Sequence, residues 1–221
     1  MGNHRNIQRI CEEQPDMDYY QMQHFITESK WDARGVMDHV AVDVSSALPK
    51  RKLTGLILDE SGIVKKGDKS VAVAHQYCGS VGKTANSQVA VVACLCNGDF
   101  ASLVDARLYL PENWAKDSKR CDRAGIPSDF QKFKTKPEIA LEIVKHQKAL
   151  GVDFDYVGGD GLYGHDPALA RGIDELGYVY MLDVHKDQHI FCQEPAVEIP
   201  LNLAGRGRKP SVPKPDKKSI E

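Results

Sequence analysis

No stretch of the chain approaches the roughly 18 consecutive apolar residues that a membrane-spanning helix requires. The first ten residues, MGNHRNIQRI, lack the apolar centre of a secretory signal. Asn6 stands where a myristoylation signal needs Ser or Thr. The expected location is therefore the cytoplasm. Paired cysteine motifs are lacking: Cys11, Cys78, Cys94, Cys96, Cys121 and Cys192 are scattered and include no C-x-x-C pair. This spacing gives neither a common structural zinc site nor a disulfide framework. Cys94 and Cys96 share one face of an expected strand and read as small core hydrophobes. Charge of one sign is lacking too, with a formal net charge of -2, so the chain is not coated in basic residues for nucleic acid.

What is present fits a globular protein: 42% hydrophobic and 27% charged residues over 221 positions. That length supports one sizeable core and a small accessory region. The charge is unevenly spread. Residues 1–48 carry four basic and eight acidic groups, 49–90 carry seven and three, and 205–221 carry six and two. Positive charge thus gathers around the motif LDESG and in the tail, as a phosphate-facing surface requires.

Short helices are expected between Ile7 and Ser46, with Ser29 capping the helix in SKWDARGVMDHVAVDV, and a linker near residue 50. A strand from Leu53 to Asp59 follows, then a turn from Gly62 to Lys69 and further antiparallel strands. Asn97-Gly98-Asp99 marks a hairpin. Glu112–Lys134 has no clear periodicity. Thr135 and Glu138 form a capping box with Pro137 in the first turn, and Gly151 ends that helix. The strand FDYVGGDG, a helix from Asp166-Pro167 to Gly177, and the strand YVYMLDVHKD complete a mixed α/β pattern with parallel crossovers.

Two acids sit where strands end, Asp59 in TGLILDESG and Asp160 in YVGGDGLYG. Chemistry in open sheets lies just beyond the carboxyl ends of the strands. If the two strands are parallel neighbours, about 4.8 Å apart, their carboxylates emerge together and suit hard divalent cations. Gly158, Gly159 and Gly161 would let a substrate backbone approach, and Lys65 and Lys66 would lie near its phosphates. Each acid taken alone also reads as an ordinary turn residue. A haloacid-dehalogenase-like phosphatase is an alternative, but Ser61 stands where that family needs a second Asp. Tyr163 reads either as a base-stacking ring or as core. His185, Lys186 and Asp187 close the last strand, and Lys186 reads as a phosphate contact or part of a solvated strand end. Trp31 and Trp114 read as packing anchors.

Seven stretches occur in order: NIQRICEEQPDMDYYQMQHFITESKWD, LILDESGIVKKGDKSVAVAHQYCGSVGKTANSQVAV, LVDARLYLPENWAKDSKRCDRAGIP, FKTKPEIALEI, YVGGDGLYG, LDVHKDQHIF and GRGRKP. Together they resemble bacterial insertion-sequence transposases of the DDE superfamily, endonucleases with an RNase H-like catalytic domain.

The resemblance implies an RNase H-like mixed sheet flanked by helices. It also implies a helical segment at 1–50, a partial catalytic domain at 51–204 and a basic, disordered tail at 205–221. Asp59 and Asp160 would be the first two catalytic acids and ligands of Mg2+ or Mn2+, with two ions in a complete site. Activated water, and then a freed 3′ hydroxyl, would attack a phosphodiester in line. The implied partner is double-stranded DNA, as transposon ends and target, bound by a homo-oligomer in the bacterial nucleoid. Lys65, Lys66, Arg206, Arg208 and Lys209 would neutralise phosphates, although the tail reads equally as a solvated linker. The family's third acid, a helical Glu downstream of GRGRKP, has no counterpart. Glu194 and Glu198 lie in a Pro-flanked, non-helical stretch and Glu221 is terminal. The expectation is a truncated, catalytically deficient chain, with a DNA-binding regulator as the alternative.

Overall fold

The computed structural model describes residues 6–14, 16–49, 52–185, 196–200 and 211–215. Lys186, Asp187, Arg206, Arg208 and Lys209 lie outside the described residues, as does most of the basic tail.

Three helices lead in: α1 (Ile7–Glu13), α2 (Tyr19–Thr27) and α3 (Ala33–Ala47), capped by the side chains of Asn6, Asp18 and Asp32. The cap of α3 is therefore Asp32 and not Ser29. The backbone N–H of Ser29 is committed to the carbonyl of His24 at 3.1 Å, which makes Ser29 part of the end of α2. Trp31 is 47% exposed and stacks on Phe25, so it is not a core anchor.

The main sheet contains β1 (Gly55–Val64), β2 (Ala74–Cys78), β3 (Lys83–Asn97), β4 (Phe100–Leu108), β5 (Tyr156–Gly159) and β6 (Val179–Leu182). Its order is β2-β3-β1-β5-β6, with β4 also paired to β3. β1 runs antiparallel to β3 and parallel to β5, and β5 runs parallel to β6. This mixed sheet flanked by helices is consistent with the RNase H-like expectation. Gly98, at φ +62°, and Asp99 form the two-residue loop between β3 and β4 where Asn-Gly-Asp predicts it.

β1 does not stop at Asp59. Its ladder with β3 continues to Val64 opposite Ser87, because the fifteen-residue β3 supplies partners throughout. Gly62 fits within that ladder where a Cβ would fall 2.7 Å from Cys78 Sγ.

The stretch without clear periodicity folds as α4 (Glu112–Ala115) and α5 (Ser118–Arg123) around Trp114, which is 1% exposed and donates from Nε1 to the Val73 carbonyl. The long crossover helix α6 (Lys136–Ala149) has the complete Thr135–Glu138 capping box. A single-turn helix α7 (Gly161–Gly164) and α8 (Pro167–Glu175), capped by Asp166, lie between β5 and β6. Beyond them, β7 (Val197–Glu198) pairs antiparallel with β8 (Lys214–Pro215), the one part of the tail described.

Alternation sorts the sheet into two faces. Leu56, Leu58, Val91, Ala93, Leu95 and Val157 point into one cluster with Ala41 of α3, Ile143 and Val144 of α6, and Leu169 and Ile173 of α8. The opposite face carries Ile57, Asp59, Cys94 and Cys96. The two cysteines are half-buried there instead of packed in the core, because they fall on the other parity from Ala93 and Leu95.

Candidate active site

The last residues paired between β1 and β5 are Leu58 and Gly159. Asp59 and Asp160 are the next residues in sequence, so both acids follow the end of the β1–β5 ladder. Asp59 is exposed on the face opposite the core cluster; Asp160 is exposed as the N-cap of α7. Each holds Oδ1 in a local hydrogen bond, Asp59 from the N–H of Glu60 at 2.7 Å and Asp160 from that of Leu162 at 3.0 Å. Among the described residues neither Oδ2 has a hydrogen bond.

Behind the two aspartates, on the helix-covered side, lies a network that motif reading does not isolate. Glu60 follows Asp59 and so points to the opposite face. Its Oε1 pairs with Lys136 Nζ at 2.8 Å, and its Oε2 accepts a hydrogen bond from the Tyr163 hydroxyl at 3.3 Å. Tyr163 is fully buried, which excludes base stacking by its ring. Burial, then the charge and hydrogen bond of Glu60, then the charges of Asp59 and Asp160 push its phenol well above the usual tyrosine range. One ring thus lies within electrostatic reach of all three carboxylates.

The glycines around Asp160 serve the protein's own side chains. A Cβ at Gly158 would fall 2.7 Å from Ile57 Cδ1, and one at Gly161 would fall 3.1 Å from the ring of His185. The space expected for a substrate backbone is therefore filled by Ile57 and His185. The His185 ring also lies 6.0 Å from that of His165, placing two exposed imidazoles beside the second acid. Sequence spacing does not reveal that His165 and His185 meet, since they are twenty positions apart.

Lys65 and Lys66 follow the end of β1. Lys65 lies six residue steps beyond Asp59, roughly 20 Å along the strand at about 3.3 Å per residue. They flank the acid pair without joining it. A cavity of about 750 Å3 between α3, β4 and α6 is lined by Met37, Leu108, Ile126, Phe130 and Ile139 and includes neither aspartate. Both acids are instead exposed at the surface.

Residues 1–220 match the family described as DDE superfamily endonuclease. The chain belongs to that family. It is also 31% identical over 172 residues to a probable transposase for insertion sequence element IS701 from Microchaete diplosiphon, covering 76% of this chain and 41% of that protein. The chain thus spans less than half the length of this curated relative. No solved structure matches it.

DDE superfamily endonucleases are generally divalent-metal dependent. The donor chemistry of the two acids fits such an ion: two carboxylates, each with an oxygen outside the local hydrogen bonds, are hard ligands for Mg2+ or Mn2+. Among the described residues no group of three or more His, Cys, Asp or Glu side chains is gathered to hold a metal. Family membership also displaces the phosphatase alternative. No helix is long and apolar enough to cross a membrane among the described residues.

Proposed function

We propose that this chain carries part of the catalytic core of a DNA transposase, with Asp59 and Asp160 as its first two metal-binding acids. The carrying observation is the parallel β1–β5 register, whose last pair, Leu58 and Gly159, immediately precedes the two acids. Asp59 and Asp160 would hold Mg2+ or Mn2+ through their Oδ2 atoms. The bound metal would supply a lowered pKa for a coordinated water and charge stabilisation at the phosphate being cut. The two backbone N–H groups on the Oδ1 atoms orient the carboxylates, while Lys65 and Lys66 neutralise flanking phosphates of double-stranded DNA. Arg206, Arg208 and Lys209 extend the same electrostatic attraction along the tail. A second copy of the chain would supply the partner at the other transposon end. The name of the IS701 relative supports an insertion-sequence substrate.

A regulatory reading is favoured by one observation: the described residues gather no group of three or more His, Cys, Asp or Glu side chains able to hold a metal. The chain would then bind DNA and cut it poorly. Incubation of the full chain with supercoiled plasmid and Mg2+ or Mn2+ separates the readings. Nicking that falls roughly a hundredfold or more in Asp59→Asn and Asp160→Asn supports the catalytic one. DNA binding without nicking supports the regulator, and nicking indifferent to both substitutions would sink the site assignment.

A further inference from the structure

We infer that Tyr163, Glu60 and Lys136 are positioning residues that set the separation and orientation of Asp59 and Asp160. This inference rests on the metal-binding reading of the two aspartates.

The backbone alone does not fix that separation. The β1–β5 ladder ends one residue before each acid. Beyond it the strands part company, since β1 continues against β3 to Val64 while β5 gives way to α7. The first direct connection between the diverging segments is the Tyr163 hydroxyl on Glu60, a contact across 103 positions of sequence. Each end is coupled rigidly to one acid. Glu60 is bonded to Asp59 in an extended strand, where alternation sends their side chains to opposite faces, so a force on Glu60 rotates the strand segment carrying Asp59. Tyr163 lies one turn from Asp160, its N–H bonded to the Asp160 carbonyl at 3.1 Å. Asp160 is further tied to that turn by the Leu162 N–H at 3.0 Å.

The network is built to hold its shape. The Tyr163 side chain is wholly buried, and its ring packs on Gly159, where a Cβ would meet Tyr163 Cδ2 at 3.2 Å. Glu60 and Lys136 side chains are each only 17% exposed. Lys136 is the first residue of α6, so the Glu60 carboxylate is also referenced to the capped end of the crossover helix. None of the three needs to touch an ion. Groups behind metal ligands act by fixing ligand geometry, and their loss typically weakens metal affinity about 10–100-fold.

Tyr163→Phe removes one hydroxyl, changes no charge and keeps the ring, which separates geometry from electrostatics. The full chain is titrated with Mn2+, with free ion followed by its electron paramagnetic resonance signal, and unfolding in urea is measured in parallel. Trp114→Phe, which loses the hydrogen bond to Val73 in the second core cluster, reports on general destabilisation. Tyr163→Phe should weaken Mn2+ binding about tenfold while Trp114→Phe leaves it unchanged. Glu60→Gln retains an acceptor for the phenol and should fall between the wild type and Glu60→Leu. Lys136→Met probes the other end of the network without disturbing the buried ring and should weaken binding in the same direction. Wild-type Mn2+ affinity in Tyr163→Phe and Lys136→Met, alongside loss in Asp59→Asn, would overturn the positioning role and keep the metal reading. Equal losses in Tyr163→Phe and Trp114→Phe would overturn it as mere destabilisation. Unchanged binding in Asp59→Asn and Asp160→Asn would remove the metal reading and the positioning role together.

Discussion

Asp105 illustrates how one residue can tie the helical lead-in to the sheet. Its carboxylate is fully buried and accepts from Arg34 of α3 at 2.7 Å, Gln147 of α6 at 3.2 Å and Arg107 at 3.4 Å. The register slip at Ala93/Cys94 sends Asp105 inward: Val104 is the extra residue in β4, and both it and Asp105 are buried. Removing a single partner from a buried charged group leaves the remaining charges uncompensated, which generally costs 3–5 kcal/mol. Arg34 keeps Asp38 at 2.8 Å and Arg107 keeps Glu142 at 3.6 Å, and both have partial solvent access, so Asp105→Ala should fall near the lower limit, about 3 kcal/mol, by urea unfolding. A change below about 0.5 kcal/mol would mean that Asp38, Glu142 and solvent compensate the two arginines fully. Composition and periodicity do not reveal this residue, because a bulge is set by two strands together. Glu60 was more legible. Leu56 and Leu58 face the core, so the same parity directs Glu60 inward, although Lys136, 76 positions away, is not inferable from that pattern.

At the scale of elements, legibility follows the range of the interactions that set each boundary. Helix α6 begins where Thr135 accepts from the Glu138 N–H at 3.3 Å and Glu138 returns a bond from the Thr135 N–H at 2.7 Å; every contributing group lies within four residues. Thr135→Ala deletes the hydroxyl half of this box and should cost about 1 kcal/mol, read as a lowered urea midpoint with unchanged slope. Glu138→Gln, which retains acceptors, should cost less, and equal losses would argue that charge at the helix start outweighs the cap. The start of α8 at Asp166-Pro167 and the Gly98-Asp99 hairpin were readable for the same local reason. The C-terminal limit of β1 was not. Ser61-Gly62 looks like a turn when read alone, yet β3 provides a partner for every residue to Val64. Ser29 and Asp32 show the same competition at short range, since both suit a helix cap and only the end of α2 decides between them.

For the whole molecule, the controlling feature is an asymmetric sheet: helices α3, α6 and α8 pack on one face, and the candidate acids open toward the other. The parallel pairing of β1 with β5 was legible from the resemblance, which makes the two strands neighbours, and not from local pattern, since three strands and α4 to α6 intervene between them. The placement of Lys65 and Lys66 was less so, because the extended β1 carries them away from the acids. That separation allows DNA attraction to be tested apart from metal binding. Each phosphate neutralised on duplex DNA contributes about 0.9 to the slope of log affinity against log salt. If both lysines touch phosphates, replacing Lys65 and Lys66 together by Ala should reduce the magnitude of that slope by about 1.8. Roughly 20 Å from Asp59, and beyond the roughly 8 Å Debye length at physiological salt, the same double substitution should leave Mn2+ affinity unchanged. Fluorescence anisotropy of labelled duplex DNA across a potassium chloride series provides the slope. An unaltered slope would remove these lysines from the DNA interface, and a parallel loss of Mn2+ binding would mean that the end of β1 and the acid pair respond as one structural unit.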